Sequence, residues 1–182
     1  MTYIIGINNY GASCIICDTR ISYGQSGING SNDALKSGKL FPGCIYGAAG
    51  NSDELRKFIS SMRQTQDERN TLSGFWDNFC KFVSKYNFSK SKLFQLLLAS
   101  RHTGDSKLYL LDPIEGSIKN AGNLVTIGSG KNLLDRELKE NHEQRNPKII
   151  EYLQDQGVPI HSYPYLYCLW LMERVQGMEH LF

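Results

Sequence analysis

Two stripes of apolar residues at helical spacing, flanked on both sides by β-forming runs, leave this chain few folds to choose from. In the first stripe Leu55, Phe58, Ile59 and Met62 recur three and four residues apart and so share one face of a helix. Asn51 can cap the first free N–H groups of that helix, and Glu54 can bond back to it, as in a capping box. In the second, Phe75, Trp76, Phe79, Phe82, Val83 and Tyr86 draw an aromatic face that reads as core packing rather than a cofactor box. Upstream, residues 3–7 are β-rich, and Asn8-Asn9-Tyr10-Gly11 accepts the positive φ of a hairpin turn into residues 12–19. Residues 22–38, rich in Gly, Ser and Asn, read as a long loop, and residues 39–41 and 44–49 as short strands parted by Pro42-Gly43. Downstream, residues 93–100, 107–111 and 124–128 are β-like, with 112–116 as a turn. A helix carrying Leu133, Leu134 and Leu138 opens at Ser129, a short helix covers 148–154, and a buried helix runs over 165–178. The order strands, helices, strands, helices predicts an α+β protein with antiparallel sheet packed between helices. It excludes a doubly wound fold, in which strand and helix would alternate throughout.

Composition narrows the class further. With 182 residues, 41% hydrophobic and 21% charged, the sequence predicts one globular domain over 1–182, undivided by repeats or linkers. A chain of this length can bury a core that needs neither disulfide nor zinc. Twenty Lys and Arg against 18 Asp and Glu give a net charge of +2, too small for a nucleic-acid footprint. The longest nearly apolar run, 165–172, is far short of the roughly 20 residues of a spanning helix, so no membrane partner is expected. Cys14, Cys17, Cys44, Cys80 and Cys168 are odd in number and come without a secretion signal, which points to a reducing, cytoplasmic setting. Cys14 and Cys17 form a C-x-x-C, but in a β-prone run residues three apart face opposite ways, against a redox pair or metal site.

Several chemistries are absent by motif. Gly128-Ser129-Gly130-Lys131 resembles the tail of a phosphate-binding loop, yet Val125 stands where its first glycine belongs and Asn132 follows the lysine. There is no G-x-S-x-G elbow, and His102, His142, His161 and His180 are scattered, so no metal or cofactor is expected. The N-terminus differs. Thr2 is a small residue after Met1, and removal of the initiator methionine would make it terminal. A terminal threonine carries nucleophile and base together: its hydroxyl attacks, and its free α-amine, with a pKa of about 7.7–8.0, takes the proton. Such a site still needs a cation near the hydroxyl, a carboxylate to hold it, and a backbone N–H for the oxyanion.

Thr2-Tyr3-Ile4-Ile5-Gly6, Asp18-Thr19-Arg20, Lys39-Leu40-Phe41 and Tyr46-Gly47-Ala48-Ala49-Gly50-Asn51, in that order, resemble the motifs of proteasome β-type subunits, which are N-terminal-nucleophile (Ntn) hydrolases. Leu108-Tyr109-Leu110-Leu111-Asp112, Gly116-Ser117 and Ile127-Gly128-Ser129-Gly130 are similar to the family's later strands and its glycine-serine turn. The likeness spans about residues 2–140. It implies a four-layer αββα sandwich of antiparallel sheets, here C-terminally truncated, because the family's closing Asp-x-x-Ser element and last strands have no match before Phe182. It further implies Thr2 as nucleophile, Lys39 as the cation, Asp18 as its partner, Gly47 as oxyanion donor and Ser129 as the group beside the α-amine. Ile45 and Ala49 would wall an apolar specificity pocket.

Each of these residues also has a structural reading: Asp18 and Lys39 as an ion pair, Gly47 as a tight strand, Ser129 as a helix cap. Two functions of different class therefore stand. One is a threonine peptidase acting on polypeptides, with assembly into a homo-oligomer. The other is a catalytically silent protein-binding module, such as a regulatory or toxin-neutralising immunity protein, to which a retained Met1 would point.

Overall fold

The computed structural model describes residues 2, 4–9, 12–17, 36–66, 71–91 and 93–132. They build ten elements: β1 (Ile4–Asn9), β2 (Ala12–Cys17), β3 (Ser37–Phe41), β4 (Cys44–Gly50), α1 (Ser52–Thr65), α2 (Leu72–Lys85), β5 (Phe94–Thr103), β6 (Asp105–Asp112), β7 (Ser117–Gly122) and β8 (Leu124–Ile127). The strands form two antiparallel sheets, one in the order β2-β1-β8 and one in the order β3-β4-β5-β6-β7.

Both faces of the five-stranded sheet are covered, and β5 states this in its sequence. Leu96, Leu97 and Leu98 are consecutive and all fully buried, because alternate side chains enter different cores. Leu96 and Leu98 join Phe58, Met62, Phe79 and Val83 under the two helices, whereas Leu97 joins Ile4, Ala49 and Ile127 between the sheets. The described residues thus form three layers, helix, sheet and sheet. The fourth layer of the expected sandwich is not among the described residues, and the helices expected over 148–154 and 165–178 lie outside them.

The two central helices stand where their stripes place them. Phe58 is the hub of the helical core, with the rings of Phe79, Phe82, Tyr86, Phe88 and Phe94 around it at centroid distances of 5.0–6.3 Å. Asn51 caps α1 by accepting the Glu54 N–H at 3.0 Å. The return half of the expected capping box is absent: the Asn51 N–H goes to the Leu93 carbonyl and the Glu54 carboxylate to Lys57. Thr71 caps α2 through the Gly74 N–H.

Two strand expectations need correction. β3 starts at Ser37, two residues earlier than residue composition suggests, since Ser and Gly carry little strand preference. β7 has no apolar run to announce it, being Ser-Ile-Lys-Asn-Ala-Gly. It is held instead by its turn, where Asp112 Oδ1 accepts the Ile114 and Glu115 N–H groups and Lys119 reaches back to Asp112 and Glu115. Of the helix expected to open at Ser129, residues 131 and 132 are described and helical. No helix among the described residues is long and apolar enough to cross a membrane.

Candidate active site

Thr2 lies just ahead of β1, at the end of the small sheet where β8 finishes. Because Ile4 faces Ile127 in the β1–β8 ladder, continuation of the chain brings Thr2 beside the turn at 128–130. Its N–H donates to Ser129 Oγ at 2.8 Å, and its carbonyl accepts the Gly130 N–H at 3.0 Å. The main chain of residue 2 is therefore fixed on both sides of its Cα. Gly128 makes this approach possible. Its φ is +101°, and a Cβ there would overlap the Thr2 carbonyl oxygen. The loop that resembles a phosphate site in sequence is thus a clamp for residue 2.

The cation beside the Thr2 hydroxyl is Lys36. Its Nζ donates to Thr2 Oγ1 at 3.3 Å. Its main chain is locked from two strands, since its carbonyl accepts the Ala48 N–H at 2.7 Å and the Cys17 thiol at 3.8 Å. Lys39 lies three residues further along β3, opposite Ile45, about 10 Å away by strand rise. Its side chain is exposed, and its carbonyl takes a hydrogen bond from Arg63. Of the two lysines, the structure brings Lys36 rather than the expected Lys39 within hydrogen-bond distance of the Thr2 hydroxyl. Residue type could not distinguish two lysines three apart, and Lys36 precedes Ser-Gly, where strand preference is weakest.

Gly47 is brought near the site, but its backbone points elsewhere. The Ala48 N–H reaches β3 at Lys36, and the Asn51 N–H reaches the β5 side at Leu93, which marks the two parities of β4. By that alternation the Gly47 N–H turns toward Leu97 of β5, and the Gly50 N–H turns to the β3 side, past Lys36. Gly47 is a glycine for packing: a Cβ there would come within 2.7 Å of Ile15 Cγ2 and 2.9 Å of Ile4 Cγ2, where the sheets close on each other.

Asp18 follows Cys17, the last residue of β2, and lies outside the described residues. The two expected pocket residues are not together. Ala49 is 7% exposed and belongs to the core between the sheets, whereas Ile45 is 42% exposed near the β3–β4 turn.

Two of the described cysteines, Cys44 and Cys80, are held as thiols by their surroundings. Burial pushes the Cys44 thiol up to about 12, against the opposing hydrogen bond from Ser100, and burial also raises Cys80. Both are protonated thiols at neutral pH and poor nucleophiles. His102 stacks flat on Trp76, with centroids 4.1 Å apart, on the helix side of the large sheet. The described residues contain no group of His, Cys, Asp and Glu that could hold a metal.

No protein-family model matches the chain, and no curated protein matches it by sequence. Among solved structures, the crystal structure of eukaryotic HslV from Trypanosoma brucei superposes with a TM-score of 0.56 at 13% identity, over 76% of this chain and 78% of that one. At that identity the likeness establishes the fold alone, which is proteasome-like, in the manner of HslV.

Proposed function

We propose that the protein is an N-terminal threonine peptidase of proteasome-like type, active once Met1 is removed. The observation that carries the reading is the convergence on one residue of Ser129 Oγ, 2.8 Å from the Thr2 nitrogen, and Lys36 Nζ, 3.3 Å from Thr2 Oγ1.

In this mechanism the free α-amine of Thr2 takes the hydroxyl proton while Oγ1 forms a bond to the substrate carbonyl carbon. The Lys36 cation favours the ionised hydroxyl, and Asp18 is assigned to balance that charge. The tetrahedral oxyanion is received by a backbone N–H, for which strand parity favours Gly50 over Gly47. The C–N bond then breaks, and the leaving amine carries away the proton held by the α-amine. Water attacks the resulting Thr2 ester, returns its proton through the same amine, and frees the acid and the hydroxyl. Ser129 orients the amine throughout. Ile45 is the apolar side chain available to a substrate residue lying along β4.

The test is turnover of fluorogenic peptides by the untagged protein and by Thr2→Ala. The reading requires that Thr2→Ala abolish hydrolysis with an unchanged melting temperature. Turnover that survives in Thr2→Ala would overturn it. Absence of turnover in both, with Met1 retained, would favour the binding-module reading.

A further inference from the structure

The hydrogen bond that ties the Thr2 clamp to the large sheet comes from a residue with no part in the chemistry. We infer that Gln95 is a positioning residue of this site, acting through Gly128 on the Ser129 hydroxyl; the inference rests on the threonine-peptidase reading. Gln95 lies on β5 opposite Ala49, two positions before Leu97 and on the same face. Leu97 fills the core between the sheets. One pleat outward, at the rim of that core, Gln95 is exposed, and its amide crosses to the small sheet. Its Oε1 accepts the Gly128 N–H at 2.8 Å.

Ladder parity explains why Gly128 needs this partner. The Asn8 N–H bonds Asn123 in the β1–β8 pairing, so odd residues of β8 face β1 and the Gly128 N–H turns away from it. A side chain from the other sheet supplies the acceptor there. The next residue is Ser129, whose hydroxyl holds the Thr2 nitrogen, and the one after is Gly130, whose N–H holds the Thr2 carbonyl. The turn is glycine on both sides of Ser129 and has little stiffness of its own. Gln95 therefore fixes the height of the Ser129 hydroxyl against the amine that must serve as base. A displacement of about 1 Å in such a group costs up to about a hundredfold in rate.

The experiment measures the rate constant for adduct formation between processed protein and a peptide epoxyketone, followed by intact mass across pH 5.5–9. Gln95→Met keeps the length and loses the strong acceptor; its rate should fall tenfold or more with the melting temperature held. Ser129 Oγ also accepts from the protonated amine and so favours it, and a displaced Ser129 should move the acid limb of the pH profile to lower pH. Gln95→Glu keeps an acceptor oxygen and should stay within about threefold of wild type. If Gln95→Met folds poorly, Gln95→Asn, whose amide falls one carbon short of Gly128, supplies the same contrast. An unmoved rate and pH profile in Gln95→Met would overturn the inference while leaving the peptidase reading intact. A wild-type protein that has lost Met1 and still forms no adduct would overturn both.

Discussion

At the scale of single residues the site depends on which of two lysines reaches Thr2. The two readings make opposite predictions. Lys36→Met should slow adduct formation at Thr2 by about a hundredfold or more, the usual cost of losing a preorganised electrostatic partner, whereas Lys39→Met should stay within twofold. Stopped reactions analysed by mass would distinguish them. The pairing of Thr2 with Ser129 is legible without coordinates, because both stand in the order of motifs that the resemblance supplies. The approach of Lys36 to Thr2 is not, because it depends on where β3 begins, and Ser37-Gly38 hides that point. Gly47 is legible as a glycine that matters, though for a different reason: the sheets close on it. Gly47→Ala should therefore destabilise the fold by about 1–3 kcal/mol, as an overpacking substitution does, and a urea melt would read it.

At the scale of elements, caps and turns decide what periodicity leaves open. The α1 and α2 stripes are strong enough to be read directly, since Phe58, Met62, Phe79 and Val83 repeat at helical spacing and all enter one core. The capping box is only half formed, which separates two substitutions. Asn51→Ala should cost about 1 kcal/mol in equilibrium unfolding, because it removes the acceptor of the Glu54 N–H. Glu54→Ala should cost less, because its carboxylate makes no return bond to the cap and its contributions are a pair with the exposed Lys57 and a place in the first turn of α1. β7 escapes a sequence reading because its pairing is enforced by the Asp112 turn, by Lys119 reaching back to that turn and by β6, rather than by an apolar run.

At the scale of the whole molecule, two cores share one sheet, and the site sits where the inner one opens at its end. His102 reports on the other core. Burial against Trp76 and Tyr109, then the Lys107 charge, lowers its pKa below the ordinary imidazole value, with Asp77 pulling the other way. With the folded pKa below the unfolded one, the unfolded chain takes up the proton first as pH falls. Stability should therefore decline as pH drops through about 6.5 and level off once the folded imidazole is also protonated. His102→Gln should flatten that slope between pH 7.5 and 5.5 in urea titrations, a window above the range in which Asp112 titrates.

On the proposed function Thr2, freed of Met1, is a live nucleophile held by Ser129 and Lys36. Intact mass of the untagged protein, with and without an epoxyketone that requires both a terminal hydroxyl and a free amine, tests it most directly. A live Thr2 gives loss of the Met1 mass and a single adduct that maps to Thr2 and is absent from Thr2→Ala. Retained Met1 with no adduct would contradict it and leave a proteasome-like fold that serves binding.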